Sequence, residues 1–133
     1  SRNPYRSVCT ISSHDMPTLR QWWDEDLERT QDYYNSMLYR GGAAPHPLPG
    51  WLARDIISRH LTSPSMLCIF SIQDWISIDD NLRLPDQNAE RINIPANPKH
   101  YWRYRMHLSI EDLMANDSFV ANVTELISQS GRK

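Results

Sequence analysis

The chain has 133 residues, enough for about one domain with a real core. Its apolar content is 40% and its formal net charge is −2, so no basic excess draws it to nucleic acid and no block of like charge marks a membrane surface. The longest apolar run, Met66-Leu67-Cys68-Ile69-Phe70, is far too short to span a bilayer, and the polar opening Ser1-Arg2-Asn3-Pro4-Tyr5-Arg6 has no signal-peptide core.

In chain order, Ser7 to Ser12 is β-branched and bounded by polar residues, which predicts a short strand ending at His14-Asp15. A helix is predicted to open with Pro17 at its first position, where the missing N–H costs nothing, and to run to Gly41-Gly42. Its apolar positions Leu19, Trp22, Trp23, Leu27, Tyr34, Met37 and Leu38 recur mostly at three-, four- or seven-residue steps. The Gly- and Pro-rich stretch 41–50 predicts a loop, and Trp51 to Leu61 a second helix. Met66 to Ile72 is continuously apolar, which predicts a strand buried on both faces with Gln73-Asp74 at its end.

Residues 79–98 are predicted to be irregular, and the aromatic, basic stretch Lys99 to Met106 to be helical. Ser109-Ile110-Glu111-Asp112 resembles a capping box. Asp117 is expected to cap a last helix with the stripe Phe119, Val120, Val123, Leu126 and Ile127, ended by Gly131, after which Arg132 and Lys133 should fray. Two strands joined by helices form a βαβ unit, so the fold class is α/β, mostly helical with about two parallel strands. Two parallel strands cannot close a barrel, which suggests part of something larger.

The two strand ends attract attention, because function in parallel α/β folds collects there. His14-Asp15 reads equally as a helix cap, and Gln73-Asp74 as a turn after a strand. Trp22 and Trp23 read as core more readily than as sugar-stacking groups. Arg91, Arg103 and Arg105, close to Tyr101 and Trp102, read as Arg–aromatic packing or an ion-pair cluster. The five histidines show no ligand spacing, and His107 with Glu111 reads as structural, so no metal and no cofactor is expected. Cys9 and Cys68 fit small buried hydrophobes in a reducing, cytoplasmic compartment, with a secreted protein that has lost its signal as the alternative.

Ser12-Ser13-His14-Asp15-Met16-Pro17-Thr18-Leu19-Arg20-Gln21-Trp22-Trp23 resembles the motif that follows the seventh barrel strand of glycoside hydrolase family 77. Glu90-Arg91-Ile92-Asn93-Ile94-Pro95, continuing through Asn97-Pro98-Lys99-His100-Tyr101-Trp102-Arg103-Tyr104-Arg105, resembles that family's C-terminal Arg-x-Asn-x-Pro segment with its Trp–Arg pair. The wording is nearest the plant disproportionating enzyme 2 branch and its large bacterial relatives; the commoner bacterial branch has Pro-Gly-Thr where this chain has Pro95-Ala96-Asn97.

The resemblance implies a (β/α)8 barrel, the amylomaltase fold. Residues 1–133 would form a single C-terminal segment holding strands seven and eight with their helices and the closing helices. It implies a 4-α-glucanotransferase that moves segments between maltooligosaccharides with retention, through a nucleophilic Asp, an acid/base Glu and a third carboxylate. Asp15 matches the third carboxylate, the transition-state stabiliser; His14 matches its sugar-binding neighbour, and Asn93 a polar residue near the substrate. The nucleophile and the acid/base fall on no residue of this sequence, so the chain is expected to be inactive alone. Its expected partners are a maltooligosaccharide or glucan and the upstream part of the same enzyme, with self-association through strand edges. The readings from another class are a helical interaction module without catalysis and a sugar-binding module resting on exposed Trp and Tyr.

Overall fold

A computed structural model describes residues 2–132. Its framework is one βαβ unit. Strand β1 (Val8–Cys9) pairs in parallel with β2 (Leu67–Cys68), Val8 opposite Leu67 and Cys9 opposite Cys68. Helices α1 (Leu19–Glu25), α2 (Leu27–Ser36) and α3 (Gly50–Leu61) form the crossover between them. After β2 come α4 (Ile72–Ile76), a 3-10 turn at Gln87–Glu90, α5 (Ile110–Ala115) and α6 (Asp117–Gln129). The α/β class and the parallel pair are as the sequence predicts.

The long first helix is two helices. Asp26 is extended at φ −144° and ψ 101°, ending α1 and capping α2 by accepting the Arg29 N–H at 3.0 Å. A short carboxylate competes well for backbone donors, which is why Asp breaks an otherwise sound stripe. The helix opens at Leu19 rather than at Pro17, with Thr18 as its cap: the Thr18 side chain accepts from Gln21 N, and the Gln21 side chain accepts the Thr18 N–H. That reciprocal pair is a capping box. Helix α2 stops at Ser36, before Gly41, and Tyr39 takes the left-handed turn at φ 54°.

The second strand is shorter than its apolar run. Ser71 accepts from Asp74 N and starts α4, so Gln73 and Asp74 lie inside a helix rather than at a strand end. Burial on both faces is not found: along the run Leu67 is 47% and Ile69 58% exposed while Phe70 is buried, so one face meets the core and the other is open. Residues 99–106 form no helix. Three prolines and a net of side-chain bonds, among them His100 Nε2 to the Ile92 carbonyl at 2.8 Å, hold the 85–100 stretch irregular as it leads into them. Asn116, not Asp117, caps α6, accepting the Phe119 N–H at 2.9 Å.

Arg132 is held rather than frayed. Its guanidinium donates to the carbonyls of Leu61, Ser63, Ser65 and Met66, tying the end of α6 to the turn before β2. Lys133 lies outside the described residues.

The core sits between α1, α3, α4 and α6, with Trp23, Leu52, Ile56, Ile57, Ile76 and Leu126 fully buried. Trp23 is core as its stripe suggests, and its indole N–H reaches the Pro45 carbonyl at 2.8 Å. Trp22 stands half-buried against Tyr33, with the Arg29 guanidinium 4.6 Å over its ring. Burying these side chains stabilises the fold by roughly 2 kcal/mol each.

Candidate active site

The two motif segments meet in space. Asp15 lies on the turn between β1 and α1, and Asn93 lies in the irregular segment beyond the 3-10 turn. The Asn93 side-chain amide donates to Asp15 Oδ1 at 2.7 Å, and the Asn93 backbone N–H donates to the His14 carbonyl at 3.1 Å. The His14 Nε2 lies 3.3 Å from Asp15 Oδ2. Both side chains are about half exposed, at 52% for His14 and 51% for Asp15. An amide on one oxygen and an imidazole on the other fix the plane of the carboxylate while leaving it open to solvent. Such a group can take up sugar hydroxyls without first giving up a buried partner. Asp15 is therefore not the helix cap; Thr18 fills that role.

A buried layer holds this pair in place. Asp74 is 0% exposed and is hydrogen-bonded by the Ser12 hydroxyl. It also accepts the Leu19 N–H at 2.9 Å, which satisfies a free donor in the first turn of α1. Burial raises the Asp74 carboxyl above its ordinary range, against the lowering pull of the hydrogen bonds from Ser12, Leu19 and Ser71. Asp74 thus ties α4 to Ser12, in the turn after β1, and to Leu19 at the start of α1, on either side of Asp15.

Beneath the Asn93 side, Arg20 and Glu90 form an ion pair at 3.1 Å with side chains only 4% and 0% exposed. Arg20 also donates to the Leu84 carbonyl at 2.7 Å, and Glu90 accepts the Leu84 N–H at 3.0 Å. The Gln73 amide reaches the Glu90 carbonyl at 3.3 Å. The pair lies five residues after Asp15 and three before Asn93. It therefore clamps the two segments on the inner side of the contact they make at the surface.

The structure brings together His14, Asp15 and Asn93, the three residues singled out in the sequence, and places beneath them a layer that sequence reasoning missed. Arg20 follows Leu19 on the helix stripe, and Glu90 lies in a Pro-rich stretch without periodicity, so no pattern marks either as buried. A ring contact was missed as well: Trp102 leans on His14 with centroids 5.3 Å apart. Of the three arginines near it, Arg103 lies 5.0 Å over the Tyr101 ring and Arg91 donates to the Asn93 carbonyl at 2.7 Å. Among the described residues none of Arg91, Arg103 and Arg105 pairs with a carboxylate, so the packing half of that expectation holds and the ion-pair half does not. His107 bonds the Leu82 carbonyl, and no cluster of three metal-ligating side chains occurs among the described residues.

Residues 1–110 match the sequence model of glycoside hydrolase family 77, described as 4-alpha-glucanotransferase. The chain is 36% identical over 132 residues to the 4-alpha-glucanotransferase DPE2 of Oryza sativa subsp. japonica, covering 99% of this chain and 14% of that protein. It is 27% identical over 126 residues to the 4-alpha-glucanotransferase of Chlamydia caviae, covering 92% of this chain and 23% of that one. The fold resembles a solved amylomaltase from Streptococcus agalactiae in complex with acarbose, with a TM-score of 0.70 at 16% identity, over 98% of this chain and 23% of that one. The chain therefore spans about a seventh of the rice relative and about a quarter of the other two. With the family model matched over most of its length, this chain belongs to glycoside hydrolase family 77, the 4-alpha-glucanotransferase family.

Proposed function

We propose that this chain supplies the last two strands, the seventh and eighth, of a (β/α)8 barrel that transfers α-1,4-glucan segments between maltooligosaccharides with retention of configuration. The observation that carries the reading is the Asn93–Asp15 bond at 2.7 Å, which joins the two motif segments at one solvent-open point. Asp15 is the third carboxylate and His14 its sugar-binding neighbour. Together they hold hydroxyls of the reacting glucosyl unit as its ring distorts, and hydrogen bonds that tighten only then raise the rate rather than the affinity. Asn93 orients Asp15 for that task.

A retaining mechanism needs two carboxyl groups roughly 5 Å apart across the scissile bond. Asp15 is flanked by an amide and an imidazole, and the neighbouring carboxylates Asp74 and Glu90 are sealed in the interior. As the family pattern implies, the nucleophile and the acid/base come from upstream strands of the same enzyme. Those strands are the chain's principal partner, and the glucan is its substrate. Free Cys9 and Cys68, side by side on paired strands, suit a reducing, cytoplasmic setting. The exposed apolar residues of β1 and β2 favour self-association when the chain is alone.

Maltose disproportionation tests the reading. The isolated chain is expected to form no longer oligosaccharides, and a longer polypeptide that adds the upstream strands to form them. In that longer enzyme D15N should lower kcat by about a thousandfold or more with a smaller change in KM, as loss of a transition-state contact requires. Transfer by the isolated chain, or full activity in D15N, would sink the assignment.

A further inference from the structure

Five tryptophans occur in the chain, and their surroundings differ. Trp23 is buried, Trp22 and Trp75 are partly buried against the core, and Trp51 is exposed but covered by the Arg40 guanidinium 4.9 Å from its ring. Trp102 is 63% exposed, and the ring it touches is His14. The planes are tilted by 52°, so the rings are not stacked face to face and most of the indole stays open to solvent. The segment that carries it is tied beside Asn93, with His100 bonded to the Ile92 carbonyl at 2.8 Å.

The groups are linked by successive contacts: the Asn93 amide lies 2.7 Å from Asp15 Oδ1, Asp15 Oδ2 lies 3.3 Å from His14 Nε2, and the His14 and Trp102 ring centroids are 5.3 Å apart. Asn93, Asp15 and His14 supply hydrogen-bonding groups and Trp102 an exposed apolar aromatic surface. A pyranose ring has the matching character, a rim of hydroxyls around faces of C–H groups. An indole gives such a face a large apolar area at little conformational cost, and a large exposed aromatic surface beside a polar site marks a ligand contact.

We propose that Trp102 is the stacking platform for the glucosyl unit adjoining the one held by Asp15 and His14, and so a residue that sets how strongly the enzyme grips a longer glucan. The inference rests on the transferase reading above. One imidazole separates the indole from Asp15, so it meets the neighbouring sugar and not the reacting one. It therefore binds ground state and transition state alike, which alters KM and leaves kcat nearly unchanged.

The test uses the longer enzyme with maltotriose as substrate, comparing wild type, W102A and W102F, with circular dichroism to confirm the fold. W102A should raise KM about tenfold with kcat changed less than about twofold, and W102F, which keeps an aromatic face, should recover most of the loss. Maltotriose should also perturb the indole fluorescence of the wild type, and that signal should fall sharply in W102F although the other four tryptophans of this segment, and any upstream, remain. An active wild type whose W102A variant keeps its KM, or a W102A defect in kcat that W102F does not repair, would overturn the platform and leave the transferase reading intact. A wild type with no transfer but a Trp102-dependent maltotriose signal would overturn the transferase reading alone. Absence of both would overturn the two together.

Discussion

Asp74 shows how much of the candidate site rests on a residue that never touches solvent. Its two oxygens accept from Ser12 and from the first turn of α1, fixing the turn on which Asp15 stands. D74A leaves the Leu19 N–H and the Ser12 hydroxyl buried without that partner and should cost about 2 kcal/mol or more. D74N keeps one oxygen acceptor and should cost less. The pH dependence follows from the raised carboxyl of Asp74. A folded-state pKa above the unfolded one means the fold binds the proton more tightly, so this contribution to stability is full below the unfolded pKa and is lost as pH rises through the folded one. The stability gap between wild type and D74N should therefore narrow as pH rises above the ordinary carboxylate range, read by urea denaturation at each pH. A gap that widened would contradict the raised pKa. In the sequence Asp74 could be seen only as a polar residue after an apolar run; its two acceptor bonds come from residues more than fifty positions away, which no local pattern carries.

At the scale of elements, periodicity located the helices better than it found their ends. The stripe through Leu19, Trp23 and Tyr34 is real, but a single carboxylate at Asp26 divides it, because capping Arg29 N satisfies the backbone better than continuing the helix. The continuously apolar stretch Met66 to Ile72 predicts a strand buried on both faces; the ladder lasts two residues, with β1 alone pairing with it among the described residues. The start of α3 shows a tertiary constraint of the same kind. Gly50 donates to Asp80 at 3.0 Å, and a Cβ on it would lie 2.6 Å from the Ile78 carbonyl oxygen. Alanine favours helix over glycine by about 1 kcal/mol. The backbone clash should outweigh that preference, so G50A is expected to lose about 1–3 kcal/mol, measured as a lower urea midpoint at unchanged m-value. A gain in stability would show that the loop after α4 gives way freely.

The whole molecule carries a surface that its own residues do not cover. Val8, Met66, Leu67 and Ile69 are exposed around the two-stranded sheet, and each strand has one edge unpaired among the described residues. Apolar side chains beside free backbone donors and acceptors are a template for another strand. In an intact barrel the flanking strands fill that place; alone, a second copy of the chain is the available substitute. Sedimentation velocity over a range of concentrations should show the isolated chain passing from monomer to dimer or larger species. The double variant V8K/I69K should remain monomeric, since two charges at the edges oppose pairing. Both positions are exposed, so the substitutions leave the core formed by α1, α3, α4 and α6 intact, and circular dichroism should be unchanged. A wild-type chain that stayed monomeric at every concentration would mean that two short strands are tolerated in water and that the apolar edges do not drive assembly.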